Sequence, residues 1–207
     1  MWKEVRARVI TQERGLYRIS DGTEERWAEV SGKYRYGAQT VSDYPGVGDY
    51  VVATWPEDGS NCTIETLFPR KSVFLRKAAG TDRREQVVAA NIDTVFVCMS
   101  LNNDYNLRRL ERYIATTWDS GATPVVVLTK ADLCEDVEGK IQETQTVAAG
   151  VDIIAVSSSN DDFDAVKTYL QPGKTIAFLG SSGVGKSTLI NKLLWEAVIP
   201  TAGIRND

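Results

Sequence analysis

The chain has 207 residues, of which 43% are apolar and 25% are charged, and its formal net charge is −4. This composition is typical of a globular protein with a sizeable core. No window approaches the roughly eighteen uninterrupted apolar residues of a membrane span, and the first ten residues lack the apolar stretch of a signal peptide. We therefore expect neither a secretory leader nor a membrane anchor.

Cysteine usage also limits the class of protein. Cys62, Cys98 and Cys134 lie tens of residues apart, and the chain contains no histidine. No CxxC pair exists, so a zinc site built from these residues is not expected. Three separate thiols suit a reducing cytoplasm.

Charge is unevenly distributed along the chain. Residues 1–77 carry 12 Lys and Arg against 11 Asp and Glu, whereas the rest of the chain is clearly acidic. The overall charge argues against a generally basic nucleic-acid-binding protein. The first third is thus the better candidate for contact with RNA.

Residues 1–70 are predicted to form a small all-β domain. Strand-like runs EVRARVI, GLYRIS, WAEVS, YVVATW and CTIETLF are separated by the turn signals DGT, PGVGD and EDGSN. The number and length of these runs fit a five-stranded OB-fold barrel, and an SH3-like barrel is the alternative.

Residues 71–91 are predicted to be a basic linker. With the adjoining Arg70, this part of the chain contains Lys71, Arg76, Lys77, Arg83 and Arg84 and few acidic residues. Such a segment is either solvated or in contact with RNA phosphates, and the sequence favours neither.

From residue 92 to residue 207 the pattern is that of an α/β domain. The apolar runs DTVFVCMS, TPVVVLTK, VDIIAVSSS and KTIAFLG alternate with helix-length segments NLRRLERYIATTWDSG, Glu135 to Ala149, FDAVKTYLQ and KSTLINKLLW. Buried β-branched runs that alternate with helices predict a parallel sheet.

A phosphate-binding loop follows the last of these strands. GSSGVGKST matches the pattern G-x-x-x-x-G-K-[ST], with a strand before it and a helix after it, as the motif requires. Its backbone N–H groups are predicted to surround phosphates, Lys186 to reach the β- and γ-phosphates, Ser187 to bind Mg²⁺ and Thr188 to lie near the α-phosphate. The predicted nucleotide contacts are Gly180, Ser181, Ser182, Gly183, Val184, Gly185, Lys186, Ser187 and Thr188.

Two candidate base-reading loops precede the phosphate loop. In TKAD, Asp132 would accept hydrogen bonds from the N1–H and 2-amino groups of guanine, and Lys130 would lie along the base; Thr129 and Ala131 complete the loop. Adenine offers neither donor. The second candidate is VSSSN, the loop after the strand-like run DIIAV. There, a backbone N–H of Ser157 or Ser158 would donate to the guanine 6-oxo group.

The order of these loops is the informative feature. The base loops come first and the phosphate loop last, so the domain resembles a circularly permuted GTPase, because a domain whose ends lie close together can be permuted without losing its core. The β-rich front with TKAD, GSSGVGKST, QVVAANIDTVFVCMS, NLRRLERYI and TAGIR resembles the family of small ribosomal subunit-dependent GTPases called RsgA or YjeQ.

This resemblance implies an OB-fold barrel followed by a P-loop GTPase domain with permuted motifs. It also implies GTP and GDP as ligands, Mg²⁺ as cofactor, and late maturation of the small (30S) ribosomal subunit as the role, with the subunit and its rRNA as partners. The implied protein is a cytoplasmic monomer. Lys186 and Ser187 would be its catalytic residues.

The chain also departs from the family pattern. The usual asparagine of the base motif is Thr129 here, which we expect to remove an amide that ties two loops together. The family continues with a switch segment, a D-x-P-G loop and a zinc-binding domain, the only part in which Zn²⁺ is expected; none of these follows Asp207. The sequence therefore predicts an incomplete GTPase with weak or no hydrolysis and suggests no residue that positions the attacking water.

One literal match to the missing motif lies elsewhere. Asp43 to Gly46 read DYPG, but a polar stretch precedes them where a buried strand should lead in. We interpret this segment as a turn of the β-domain.

Two other functions are compatible with the sequence. The chain could be an RNA-binding module that ignores nucleotides, or an ATP-using P-loop enzyme in which TKAD is coincidental. Salt-dependent RNA binding would indicate the first, and competition between ADP and GDP would separate the second from a GTPase.

Overall fold

The computed structural model describes residues 2–77, 85–102, 104–157 and 163–196. The chain divides into two compact units. The first contains Met1–Ile92 with Ser120–Ala122, and the second contains Asp93–Asp119 with Thr123–Asp207. The domain boundaries at residues 70 and 91 stay predictions.

The first unit is built on a closed five-stranded barrel. Its strands are β1 (Trp2–Glu13), β2 (Leu16–Ser20), β3 (Glu25–Val30), β4 (Tyr50–Pro56) and β5 (Cys62–Leu67). Around the barrel they follow the order β1-β2-β3-β5-β4, and all neighbours are antiparallel except β3 and β5. The barrel is OB-like, as predicted, and each strand-like run of the sequence corresponds to one strand.

Period-two alternation fills the barrel. Along β4, Val51, Ala53 and Trp55 are buried while the residues between them are partly exposed. Successive side chains of a strand point to opposite faces, so one set forms the core and the other forms the outer surface. On β1, Ala7 and Val9 belong to the buried set.

A short helix and a 3₁₀ turn connect β3 to β4. Helix α1 (Gly32–Gly37) is capped by the Ser31 hydroxyl, which accepts from the N–H of Tyr34. In the following 3₁₀ turn the Asp43 carboxylate accepts from the N–H groups of Gln39 and Thr40. The DYPG segment thus belongs to the barrel unit and closes a turn.

The segment predicted as a linker contains regular structure. Strands β6 (Val73–Lys77) and β7 (Glu85–Ala90) pair as an antiparallel ribbon within the first unit. The would-be Cβ of Gly46 lies 2.5 Å from a Val87 methyl carbon, so the ribbon packs closely on the turn before β4. Arg83 and Arg84 lie outside the described residues.

Arg70 is a structural residue and not a solvated one. Its guanidinium donates to both carboxylate oxygens of Asp49, which is fully buried, and to the carbonyls of Ser42 and Tyr44. A buried carboxylate requires such a partner. The prediction that Arg70 is either solvated or bound to RNA phosphate is therefore wrong.

The second unit contains a parallel sheet of four strands. These are β8 (Thr94–Ser100), β9 (Thr123–Thr129), β10 (Asp152–Ala155) and β11 (Ile176–Leu179), in the order β10-β9-β8-β11. Helices α2 (Leu107–Ser120), α3 (Val137–Gln145), α4 (Asp164–Lys167) and α5 (Lys186–Glu196) alternate with them. The predicted α/β pattern is confirmed.

Parallel strands bring all the predicted ligand loops to one edge. TKAD begins at the carboxyl end of β9, the serine-rich loop follows β10 and the phosphate loop follows β11. In open α/β sheets, ligands bind at this edge. The core beneath it includes Phe96 and Val127 from the sheet with Leu189 and Leu193 from α5.

No helix in the described ranges is long and apolar enough to cross a lipid bilayer. In the same ranges, no group of three or more His, Cys, Asp or Glu side chains is arranged to hold a metal ion.

Candidate nucleotide-binding site

The phosphate loop has the backbone that its glycines predict. Gly180, Gly183 and Gly185 all have positive φ angles, of 155°, 73° and 102°. A Cβ at residue 180 would lie 2.5 Å from the carbonyl oxygen of Cys98, so only glycine fits there. The loop therefore packs directly on β8 and leads into α5.

The loop and the first turn of α5 fit an anionic ligand. The first N–H groups of a helix lack intrahelical acceptors, and the helix dipole places partial positive charge there. The Lys186 ammonium donates to the carbonyls of Gly180 and Ser181 at 2.8 and 2.6 Å, which holds it over the loop. Ser182, Ser187 and Thr188 are exposed beside it.

Thr129 connects the base loop to the phosphate loop. Its buried hydroxyl donates to the carbonyl of Val184 at 2.5 Å, and a Cβ on Gly185 would lie 3.7 Å from the threonine side chain. Thr129 lacks the amide of the usual asparagine, as the sequence indicates, but its hydroxyl makes a contact between these two loops.

The two base-reading loops are also joined. Ser157 donates its hydroxyl to Oδ1 of Asp132 at 2.7 Å, and the N–H of Ala131 donates to the carbonyl of Val156 at 3.1 Å. Lys130 adopts a left-handed conformation with φ of 58°, which turns the chain between Thr129 and Ala131. Ser158 lies outside the described residues.

A cavity of about 100 Å³ lies among these loops. Its lining is formed by Thr129, Lys130, Val156, Ser157, Phe163, Gly185, Thr188 and Leu189. Ligand pockets are commonly about 300 Å³ or more, so this cavity is smaller than a complete ligand pocket. Larger depressions, of about 590 and 300 Å³, are lined by residues of the barrel unit.

Sequence reasoning missed three contributions to this site. The hydroxyl of Ser157 orients Asp132, whereas only a backbone N–H was predicted to act there. Phe163 is buried at the cavity, and the Lys192 ammonium lies 4.8 Å from its ring centre. Cys98 packs against the phosphate loop, and burial raises the pKa of its thiol to about 12. Only the apolar character of Phe163 and Cys98 was visible in the sequence.

The chain is similar to known proteins over nearly its whole length. A protein-family profile described as RsgA GTPase matches residues 67–207. The small ribosomal subunit biogenesis GTPase RsgA 2 of Lactiplantibacillus plantarum is 46% identical over 99% of this chain and 58% of that protein. A small ribosomal subunit biogenesis GTPase RsgA of Methanosarcina acetivorans is 47% identical over 82% of this chain and 46% of that protein.

Two solved structures share the fold. YjeQ from Thermotoga maritima matches 92% of this chain and 65% of its own with a TM-score of 0.73 at 24% identity. YloQ, described as a circularly permuted GTPase, matches 91% of this chain and 64% of its own with a TM-score of 0.68 at 27% identity. The chain spans a little over half the length of the Lactiplantibacillus plantarum protein and a little under half the length of the Methanosarcina acetivorans protein. It belongs to the RsgA GTPase family.

Proposed function

We propose that this protein binds GTP and GDP, hydrolyses GTP to GDP and phosphate, and acts in late maturation of the small ribosomal subunit. The observation that carries the proposal is the convergence of three loops at one edge of the sheet. Thr129 ties the base loop to the phosphate loop, and Ser157 ties the two base loops together. A pocket for one guanine nucleotide requires this arrangement.

Asp132 is proposed to select guanine. The Ser157 hydroxyl donates to Oδ1 of Asp132 and orients the carboxylate, which would accept from the N1–H and 2-amino groups of guanine when the base is bound. Adenine lacks both donors and would present a lone pair instead. Charged hydrogen bonds of about 1.5–3 kcal/mol each correspond to a discrimination of about two to four orders of magnitude.

The phosphate loop is proposed to hold the phosphates through its N–H groups, with Lys186 leaving its loop carbonyls to contact the β- and γ-phosphates. Mg²⁺, when bound, neutralises phosphate charge, and Ser187 is the residue that would hold it. The sequence motifs suggest no residue that positions the attacking water, so we expect these residues alone to hydrolyse GTP slowly.

The ribosomal role rests on the relatives, which are called small ribosomal subunit biogenesis GTPases. We propose that the OB-like barrel contacts rRNA, since this architecture commonly binds oligonucleotides. The role implies that the protein acts in the cytoplasm. We further propose that it is a monomer, which light scattering of the purified chain would test.

Displacement of a fluorescent GDP analogue by unlabelled GDP and by ADP, with Mg²⁺ present, tests the nucleotide assignment. We expect GDP alone to displace it. Displacement by both nucleotides would indicate an ATP-using enzyme. Absence of analogue binding together with salt-dependent RNA binding would favour an RNA module that ignores nucleotides.

Asp132→Asn provides a sharper control. Xanthine carries a 2-oxo group where guanine carries a 2-amino group. The N–H of an asparagine amide can therefore donate to position 2 of xanthine but not to position 2 of guanine. We expect the variant to lose affinity for GDP and to gain affinity for xanthosine diphosphate. A variant that keeps its preference for GDP would contradict the proposed role of Asp132.

A further inference from the structure

An arginine cluster lies on the outer face of the barrel. Arg6 and Arg8 alternate with buried Ala7 and Val9 on β1, so both arginine side chains point outward. Arg8 pairs in register with Tyr50 of the neighbouring strand β4. The two strands thus place two cations and an aromatic ring on one surface.

Aromatic rings fix both guanidinium groups. The central carbon of the Arg6 guanidinium lies 5.1 Å from the ring centre of Tyr50 and 4.9 Å from that of Phe68. The Arg8 guanidinium lies 5.2 Å from the Tyr50 ring centre, and its Nε donates to the carbonyl of Gly48 at 3.3 Å. Stacked guanidinium groups have fewer orientations to lose when a ligand binds.

Arg6 keeps its hydrogen-bonding capacity. Across the described residues, the structure records no carboxylate that pairs with Arg6, although the side chain is exposed. This contrasts with Arg18, which is paired with Glu25 at 2.8 Å, and with Arg70, which is paired with buried Asp49. The planar donor edge of Arg6 is therefore available to a phosphate.

A cavity of about 300 Å³ adjoins the cluster, between the two arginines and the Ser20–Gly22 turn. This volume is at the lower limit of ligand pockets and suits about one nucleotide. Asp21 forms the far wall. Its Oδ1 accepts from the N–H and hydroxyl of Thr23 and the N–H of Glu24, and these hydrogen bonds lower its pKa to about 2.

The opposed charges of the two walls favour a particular ligand. A phosphate is attracted to the arginine wall and repelled by Asp21, whereas a hydroxyl or amino group can donate to the remaining oxygen of Asp21. A ribonucleotide unit carries both kinds of group, since it has a phosphate, a 2′-hydroxyl and base amino groups.

We infer that this face, defined by Arg6, Arg8, Tyr50 and Phe68, binds the phosphodiester backbone of single-stranded RNA. The inference rests on the proposed function in naming the surface through which the barrel contacts rRNA. A phosphate lies against the two guanidinium groups, and an unstacked base lies on the outer face of a guanidinium plane, as in other single-strand readers.

The test uses the whole chain and a fluorescein-labelled single-stranded RNA of about ten nucleotides, within the usual site size. Anisotropy is measured across a salt series for the wild type, R6A/R8A, R6K/R8K and K33A/R35A. The last variant removes the same charge from the exposed basic helix α1 and is the matched control. Displacement of the GDP analogue and thermal melting are measured on every variant.

We expect R6A/R8A to weaken RNA binding by about 100-fold and to lower the salt slope by about 1.4, which is the contribution of two phosphate contacts to a single strand. R6K/R8K keeps most of the slope but loses affinity, because lysine neither stacks nor binds in bidentate fashion. K33A/R35A should bind RNA within about threefold of wild type.

Several results would overturn the inference. They are equal losses for R6A/R8A and K33A/R35A, full affinity in R6K/R8K, and displacement of the RNA by poly-glutamate as readily as by unlabelled RNA. GDP binding is expected to be unchanged in R6A/R8A. Because GDP and RNA are measured separately, a chain that fails to bind GDP would refute the nucleotide assignment without deciding the RNA surface.

Discussion

Thr129 provides the most direct test of how the nucleotide site is organised. Thr129→Val keeps the shape of the side chain but removes the hydroxyl that donates to Val184. Thr129 is 4% exposed and Val184 is 1% exposed, so water cannot replace the lost donor. A buried acceptor left without its donor costs about 1–3 kcal/mol.

If this free energy holds the phosphate loop in its binding conformation, its loss appears in nucleotide affinity. We expect the Kd for GDP to rise about 5- to 150-fold in Thr129→Val. Hydrogen exchange should also report faster local opening at residues 183–186 without any ligand. Thr129→Ser keeps the hydroxyl and is expected to bind GDP within about threefold of wild type.

Two outcomes would refute this reasoning. One is Thr129→Val with wild-type exchange and wild-type GDP affinity, which would mean that the hydrogen bond does not position the loop. The other is equal weakening in Thr129→Ser, which would assign the effect to the methyl group and its packing.

Three further predictions concern the scaffold. Arg70→Met leaves the Asp49 carboxylate buried without its partner, so we expect urea unfolding to show a free energy of unfolding lower by about 3–5 kcal/mol. Adding Asp49→Asn should recover part of this loss. A loss below about 1 kcal/mol would contradict the role assigned to Arg70. Gly180→Ala and Gly183→Ala both put alanine at a positive φ, but only the first places a Cβ against the Cys98 carbonyl. The first should therefore be less stable than the second by about 1–3 kcal/mol, and equal melting temperatures would contradict the steric argument. Burial raises the pKa of the Cys98 thiol to about 12, so mass spectrometry should find it unalkylated by iodoacetamide at about pH 8 until the protein unfolds; rapid labelling of the native protein would contradict this.

The sequence was sufficient for elements that have a strong period or a local motif. Alternating residues such as Val51, Ala53 and Trp55 predicted the barrel strands, and β-branched runs predicted the parallel sheet. The phosphate loop was predictable because strand, glycines and helix are contiguous. For these elements the signal that identifies them is a pattern within a few consecutive residues.

Long-range partners were not predictable. Arg70 has the same sequence context whether it is solvated or paired, and only the fold brings Asp49 to it. The sequence does not predict the ribbon of β6 and β7, because Arg76, Lys77 and Glu85 obscure the alternation of its apolar residues. The tie from Thr129 to Val184 depends on how closely two loops approach, and sequence spacing does not contain that distance.

The strand order also has a consequence for folding. Strand β11 pairs with β8, although α2, β9, α3, β10 and α4 are all synthesised between them. One edge of β8 therefore stays unpaired throughout that interval, and an unpaired apolar strand edge is prone to aggregation. Because the phosphate loop follows β11, nucleotide cannot stabilise the earlier intermediates, and such non-local pairing slows folding. Placing the base loops first thus makes the last strand the one that completes both the sheet and the site.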